Sequence, residues 1–225
     1  QTREIIVGKE NPVFVPIAEL PNHVPRSVTT SEDGAFFTHN GFDFEEIKNS
    51  FLADAESGRA MRGGSTISQQ LAKNLYLTSS EKTIARKVRE AFVTVALEAS
   101  LPKNRILEIY LNIIEWGPNL YGIGEAAKHY FNKDARRLTA KEAAYLATVI
   151  PNPVRYYTQF QRGHLTPQWD RRVRDILGKM EAAKILTEEE YVTAMISPLR
   201  FARIPGGRGP TVQPGAANVR VPAPQ

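Results

Sequence analysis

Three times in 225 residues the sequence places a hydroxyl three positions ahead of a glutamate at the head of an apolar-periodic run: Thr78-Ser79-Ser80-Glu81, Thr139-Ala140-Lys141-Glu142 and Thr187-Glu188-Glu189-Glu190. At that spacing the hydroxyl accepts from a free backbone N–H of the first turn, and the carboxylate accepts from the cap residue's own N–H. Each is therefore a helix start with a mechanism, and the first should open a helix running to about Ser100. After Leu101-Pro102 a further run from Lys103 to Trp116 gathers Ile106, Leu107, Tyr110, Leu111, Ile113 and Ile114 into a wide apolar face. Strand-like alternation is confined to Ile5–Val15. The expected fold is mainly α, with at most a minor sheet.

The ends read differently. Pro12, Pro16, Pro21 and Pro25 make the stretch from Ile5 to Pro25 extended chain. From Pro205 to Gln225 five prolines and four glycines leave no apolar face to bury, so 205–225 is expected to be a flexible tail after a single domain over 1–204. No run of about 18 apolar residues occurs, so no segment as written crosses a bilayer as a helix. The chain starts at Gln1 without Met, and we expect that another segment once preceded it.

Composition removes several chemistries. With 0 cysteines, disulfides, thiolate zinc, iron–sulfur clusters and cysteine nucleophiles are excluded. His23, His39, His129 and His164 never stand at i,i+3 or i,i+4, so no histidine metal pair is legible. A formal charge of +5 tilts the partners toward anions such as phosphate or an anionic lipid surface.

Three constellations carry polar chemistry. Ser31-Glu32-Asp33 precedes Phe36-Phe37, His39 and Gly41. Adjacent carboxylates point in different directions, and one beside two phenylalanines can be desolvated toward the proton affinity of a base. The plainer reading is a helix N-terminus capped by Ser31. Next, Gly63-Gly64-Ser65-Thr66 leads into Gln69, a flexible loop entering a capped helix whose Gln69, Gln70, Lys73 and Asn74 form a polar side; free N–H groups there suit an anion. The third is the helix after Thr78. Ile84, Val88, Ala91, Phe92 and Val95 fall on one side, Lys82, Arg86 and Arg89 on the other with Glu90, and Lys87 at the boundary. Here a surface salt bridge from Arg86 to Glu90 competes with a strip that holds a diphosphate.

In order, the segments Glu32-Asp33-x-x-Phe36-x-x-His39-x-Gly41, Gly63-Gly64-Ser65-Thr66-Ile67-x-Gln69-Gln70-Leu71-x-Lys73-Asn74, Arg86-Lys87-x-x-Glu90, Lys103-x-x-Ile106-Leu107-x-x-Tyr110-Leu111-Asn112 and Gly122-x-Gly124-x-Ala126-Ala127-x-x-Tyr130-Phe131 resemble the five signature motifs of the peptidoglycan glycosyltransferases, family 51. Ile150-Pro151-Asn152-Pro153 resembles the turn after the fifth. The likeness spans roughly Val15 to Tyr157.

The resemblance implies a lysozyme-like helical larger lobe, about 10–40 and 83–204, and a membrane-proximal jaw, about 41–82. It implies lipid II and the lipid-linked glycan chain as substrates, the bacterial membrane as a surface, cell-wall synthesis proteins as partners, and no nucleic acid. Glu32 would be the general base that takes the acceptor hydroxyl's proton, and Glu90 would assist at the departing diphosphate. Lys82, Arg86 and Lys87 would bear on that diphosphate. Ser65, Thr66, Gln70, Lys73 and Asn74 match donor-site positions, and Asp33, Phe36 and His39 shape the first-motif site. Glu90's charge must be offset by the neighbouring arginine and lysine or by a divalent cation, magnesium or manganese, with Glu90 as its ligand; no organic cofactor is implied. In the jaw, Phe42, Phe44, Ile47, Phe51, Leu52 and Met61 would dip into the bilayer interface. The implied setting is the periplasmic face of the bacterial inner membrane, with an N-terminal anchor missing from this sequence. A monofunctional polymerase is the simplest form; a truncated bifunctional enzyme, a lysozyme-like lytic enzyme and a non-catalytic membrane scaffold are the alternatives.

Overall fold

The computed structural model describes residues 3–8, 10–49, 64–76, 83–202 and 217–220. Strand β1 (Arg3–Ile6) is followed by a 3-10 turn, Ile17–Glu19, then helices α1 (His23–Glu32), α2 (Ile67–Tyr76), α3 (Ile84–Ser100) and α4 (Lys103–Ile113). A hairpin of β2 (Glu115–Gly117) and β3 (Leu120–Tyr121) leads to α5 (Ile123–Phe131), α6 (Ala140–Val149), two single-turn helices α7 (Pro153–Tyr156) and α8 (Thr158–Gln161), then α9 (Pro167–Ala182) and α10 (Glu188–Ile196). Residues 44–49 are also helical. The mainly α expectation holds, and the sheets are two pairs only among the described residues.

Two of the three capping boxes form with both reciprocal bonds, at Thr139 with Glu142 and at Thr187 with Glu190. The third, Thr78–Glu81, lies outside the described residues. The helix it was to open starts at Ile84 on a different cap, Thr83, whose hydroxyl accepts from the Arg86 N–H at 3.2 Å. Thr83 escapes a pattern search because Arg86 stands where the reciprocal glutamate would.

Four boundaries differ from the sequence reading. The N-terminal stretch is interrupted by the 3-10 turn at Ile17–Glu19 and gives way to α1 at His23 rather than after Pro25, because Pro25 occupies the first turn of α1, where a missing N–H costs nothing. Ser31 and Glu32 therefore sit in the last turn of α1, and Ser31 caps no helix start. α4 stops at Ile113, and Trp116 belongs to β2, which turns back through Asn119 at φ 57°. Within 205–225, read as tail, Ala217–Arg220 forms β4 and pairs in parallel with β1, Ile5 opposite Val219.

The core wraps α6. All ten of its residues are buried, and the small side chains of Ala140, Ala143, Ala144 and Ala147 let α1, α9 and α10 pack against it. α2 lies against α3 and α4, and its Ile67, Leu71 and Ala72 are wholly buried in the same core. This helix, which the resemblance assigns to the jaw, buries its apolar side in that core.

Asn112 pins the N-terminal segment at Val15 to α4. Its amide accepts from the Val15 N–H at 2.9 Å and donates to the Val15 carbonyl at 2.9 Å, replacing a missing ladder partner. Gly122, at φ +82°, closes over it: a Cβ there would lie 2.8 Å from the Asn112 carbonyl oxygen. Residues of the fourth and fifth motifs are thereby fixed as structure, and α4 is held where Tyr110 can reach α2.

Candidate active site

Three chain segments converge on the C-terminal end of α1. Asp33, the residue after α1, is buried and takes two donors. Its Oδ2 accepts from the Ile67 N–H at 2.9 Å, and its Oδ1 meets His39 Nε2 at 2.9 Å. Ile67 is the first residue of α2, so a carboxylate occupies the positive end of that helix and satisfies an N–H with no partner inside it. His39 Nδ1 accepts from the Gly41 N–H at 3.0 Å. The ring's proton is therefore on Nε2, donated to Asp33.

The loop from Asp33 to Gly41 is clamped on both sides. Thr66, buried at the start of α2, donates to the Gly41 carbonyl at 2.7 Å and exchanges cap bonds with Gln69, as the second constellation predicts. Gly41, at φ +90°, lies so close to α3 that a Cβ would stand 2.8 Å from the Thr94 methyl. Glu98, also on α3, accepts from Ser68 and, at 2.7 Å, from Lys103. The Lys103 ammonium lies 4.5 Å from the centre of the Phe36 ring. Nothing in the sequence spacing nominates Ser68, Glu98 or Lys103 as partners, since they come from α2, α3 and α4.

Glu32 differs from Asp33 as two adjacent carboxylates should. Its Oε2 accepts from Gln70 Nε2 at 3.1 Å. Burial, set against that hydrogen bond and reinforced by the negative charge of Asp33, pushes its pKa up to about 7. Gln70 is itself held from behind, because the Tyr110 hydroxyl donates to its Oε1 at 2.8 Å. The sequence marks Tyr110 only as an apolar contributor to α4, and no local pattern distinguishes its hydroxyl from any other core tyrosine's.

Glu90 lies one turn before Thr94 on α3 and is only 3% exposed. Arg86 donates to its Oε2 at 3.2 Å and Lys87 binds its Oε1. The Thr94 hydroxyl donates to the Glu90 carbonyl at 2.7 Å, so the same helix carries Glu90 and the surface against which Gly41 packs. Buried residues of α3 are Glu90, Thr94 and Leu97. The apolar side faces outward instead, with Ile84 86%, Phe92 74%, Val95 55% and Val88 49% exposed.

The candidate residues thus divide. Glu32, Asp33, Phe36, His39, Thr66 and Gln70 are joined through contacts around the 33–41 loop, with Asp33 and Phe36 buried beneath it. Arg86 and Lys87 cluster on Glu90. Ser65, Lys73 and Asn74 are exposed at and after the α2 start. Lys82, and Phe51, Leu52 and Met61 of the jaw, lie outside the described residues. Phe42 is half-buried, whereas Phe44 and Ile47 are exposed.

A family model described as Transglycosylase matches residues 2–181. A protein of Nitrosospira multiformis named biosynthetic peptidoglycan transglycosylase is 44% identical over 172 residues, 76% of this chain and 73% of that one. One of the same name from Nitrosomonas eutropha is 42% identical, over 82% of this chain and 76% of its own. Of solved structures, penicillin-binding protein 1A from Haemophilus influenzae aligns at 25% identity over 61% of this chain and 16% of its own, with a TM-score of 0.37; an overlay that loose says nothing about the fold.

Proposed function

We propose, from the premise that this chain belongs to the transglycosylase family, that it polymerises lipid II into β-1,4-linked glycan strands by inverting transfer, releasing undecaprenyl diphosphate. The observation that carries this is Glu32, a half-buried carboxylate whose pKa desolvation pushes up to about 7 and which an amide orients. A sugar hydroxyl is a weak nucleophile until its proton leaves as the new bond forms, and a base is most effective when its pKa lies near the working pH. Glu32 takes that proton. Arg86, Lys87 and the exposed Lys73 are the cations available to the diphosphate as it departs with growing charge.

Glu90's negative charge next to a leaving diphosphate needs an offset, and Arg86 and Lys87 supply it by occupying both carboxylate oxygens. Among the described residues no group of three His, Asp or Glu side chains could hold a metal by itself, so a magnesium or manganese ion here would rest on Glu90 together with oxygens of the diphosphate.

Wild-type protein given radiolabelled lipid II should yield long glycan. It should leave the glycan of purified cell walls uncut; shortening of those walls without use of lipid II would replace this reading with the lytic one. The relatives' name, biosynthetic peptidoglycan transglycosylase, favours synthesis.

We place this work at the outer face of the bacterial inner membrane. No described helix is long and apolar enough to cross a membrane, but α3 carries its apolar stripe outward beside exposed Lys87 and Arg89. An exposed apolar strip flanked by cations is suited to the interface of an anionic bilayer, where a polyprenyl substrate resides. Ile84→Ser with Phe92→Ser should lower partition onto vesicles containing anionic phospholipid at least tenfold in a flotation assay. Unchanged partition would remove α3 from the membrane face, and a change in oligomeric state instead would assign the stripe to a second copy.

A further inference from the structure

The Tyr110 hydroxyl is a buried polar group in the middle of a core helix face, and the reaction as derived above gives it nothing to do. Tyr110 is 0% exposed, yet its oxygen lies 2.8 Å from Gln70 Oε1, while the other end of the same amide lies 3.1 Å from Glu32. We infer that Tyr110 is a positioning residue for the base, fixing the Gln70 amide so that its N–H faces Glu32 and keeps that carboxylate ionised and aimed. This rests on the reading of Glu32 as the general base.

The hydrogen-bond inventory makes the arrangement directional. An ionised carboxylate only accepts, so the amide must turn its NH2 toward Glu32 and its oxygen toward Tyr110. The phenol then donates. Burial, with the charges of Glu32 and Asp33 adding to it, raises the phenol's pKa well above its ordinary value, so its proton stays in place wherever the protein is folded. A flipped amide would set a carbonyl against the carboxylate, which is repulsive. Donation into Oε1 also polarises the amide and strengthens its N–H bond to Glu32.

Without the phenolic O–H, Oε1 loses its donor. Gln70 can then relax toward the Ser65 carbonyl, already 3.4 Å from Nε2. Glu32 would lose the hydrogen bond that favours its charged form, while burial and Asp33 would continue to raise its pKa.

Few other charges intervene. Asp33 adjoins Glu32, with His39 on its far side, and Lys73 is exposed one turn beyond Gln70 on α2. Helices α6 and α9, which pack on α1, have their nearer charges engaged elsewhere. Lys141 donates to the Met195 and Ser197 carbonyls, Glu142 accepts from Lys133, and Asp170 accepts from Arg174. On α9, Arg171, Arg172, Asp175 and Lys179 are exposed.

The test is the pH profile of kcat/KM for lipid II polymerisation by wild type, Tyr110→Phe, Gln70→Met and the double variant, each with its thermal midpoint as a check on folding. The acidic limb of Tyr110→Phe should move up by roughly one pH unit, leaving it about tenfold slower near pH 6 and close to wild type near pH 9. In the Gln70→Met background, Tyr110→Phe should move the limb no further, because both act through one amide. A loss equal at every pH, or a displacement that adds fully to that of Gln70→Met, would overturn the inference and leave Tyr110 a packing residue. Failure of wild type to polymerise, or full activity of Glu32→Gln, would overturn the base assignment itself and this inference with it. A wild-type limb near 7 that Tyr110→Phe does not move would overturn the inference alone.

Discussion

Glu32→Gln should abolish glycan formation, by about a thousandfold or more, while lipid II binding measured by equilibrium partition stays within about twofold of wild type. The amide has nearly the same shape and can still face Gln70, but it cannot take a proton, and general base catalysis contributes roughly 10²–10⁴ in rate. The same substitution should stabilise the fold at neutral pH. Glu32 titrates near 4.5 in an unfolded chain and near 7 in the folded one, so between those values the folded state holds the extra proton. Stability therefore falls as pH rises from about 4.5 to 7, by an amount on the order of 3 kcal/mol, and stays lower above that. Glutamine removes this cost. The thermal midpoint of Glu32→Gln should exceed wild type by several degrees at pH 8 and match it near pH 4. Equal midpoints at pH 8 would mean that Glu32 is solvated and not desolvated, and an active variant would assign the base elsewhere. Wild-type activity should rise with pH through about 7, as the carboxyl ionises.

Asp33→Ala should be the most damaging single change to the fold around the site. It leaves the first N–H of α2 and the Nε2–H of His39 without their acceptor, in a place where Asp33 is only 7% exposed. One buried and one part-buried donor orphaned together should cost about 2–4 kcal/mol, visible as a fall in thermal midpoint of roughly 10 °C. Asp33→Asn keeps one acceptor and should cost about half as much. It also removes a negative charge that raises the pKa of Glu32, so its acidic limb should move down, opposite to the displacement expected for Tyr110→Phe. An Asp33→Asn limb displaced upward would mean that the carboxylate acts on Glu32 by some route other than its charge.

The reversed polarity of α3 explains why the third constellation stayed ambiguous in the sequence. A helix with Ile84, Val88, Phe92 and Val95 on one side and Arg86, Arg89 and Glu90 on the other would ordinarily bury the first set. Here Glu90, Thr94 and Leu97 are the buried residues, and the apolar set lies outside. Periodicity reports that two sides differ; it does not report which medium each one meets. Similarly, Arg86 to Glu90 reads as a surface i,i+4 pair, but the Glu90 carboxylate lies out of solvent between two cations. Removing either cation there should matter more than it would for an exposed pair.

What the sequence determined by itself is whatever depends on neighbours within one turn. Helix starts at Thr139 and Thr187 follow from hydroxyl and carboxylate three residues apart, the Thr66–Gln69 cap from the same geometry, and the mainly helical class from the periods between them. The order of the five motifs was enough to reach the family. Tertiary structure alone decided which groups meet across distance: Asp33 with the start of α2, Tyr110 with Gln70 and through it Glu32, and Glu98 with Ser68 and Lys103. The reason is that a carboxylate's proton affinity is set by desolvation and by donors brought from other helices. Glu32 and Asp33 are adjacent in the chain, and only the packing of α2 and α4 against the end of α1 makes one of them a base and the other an anchor.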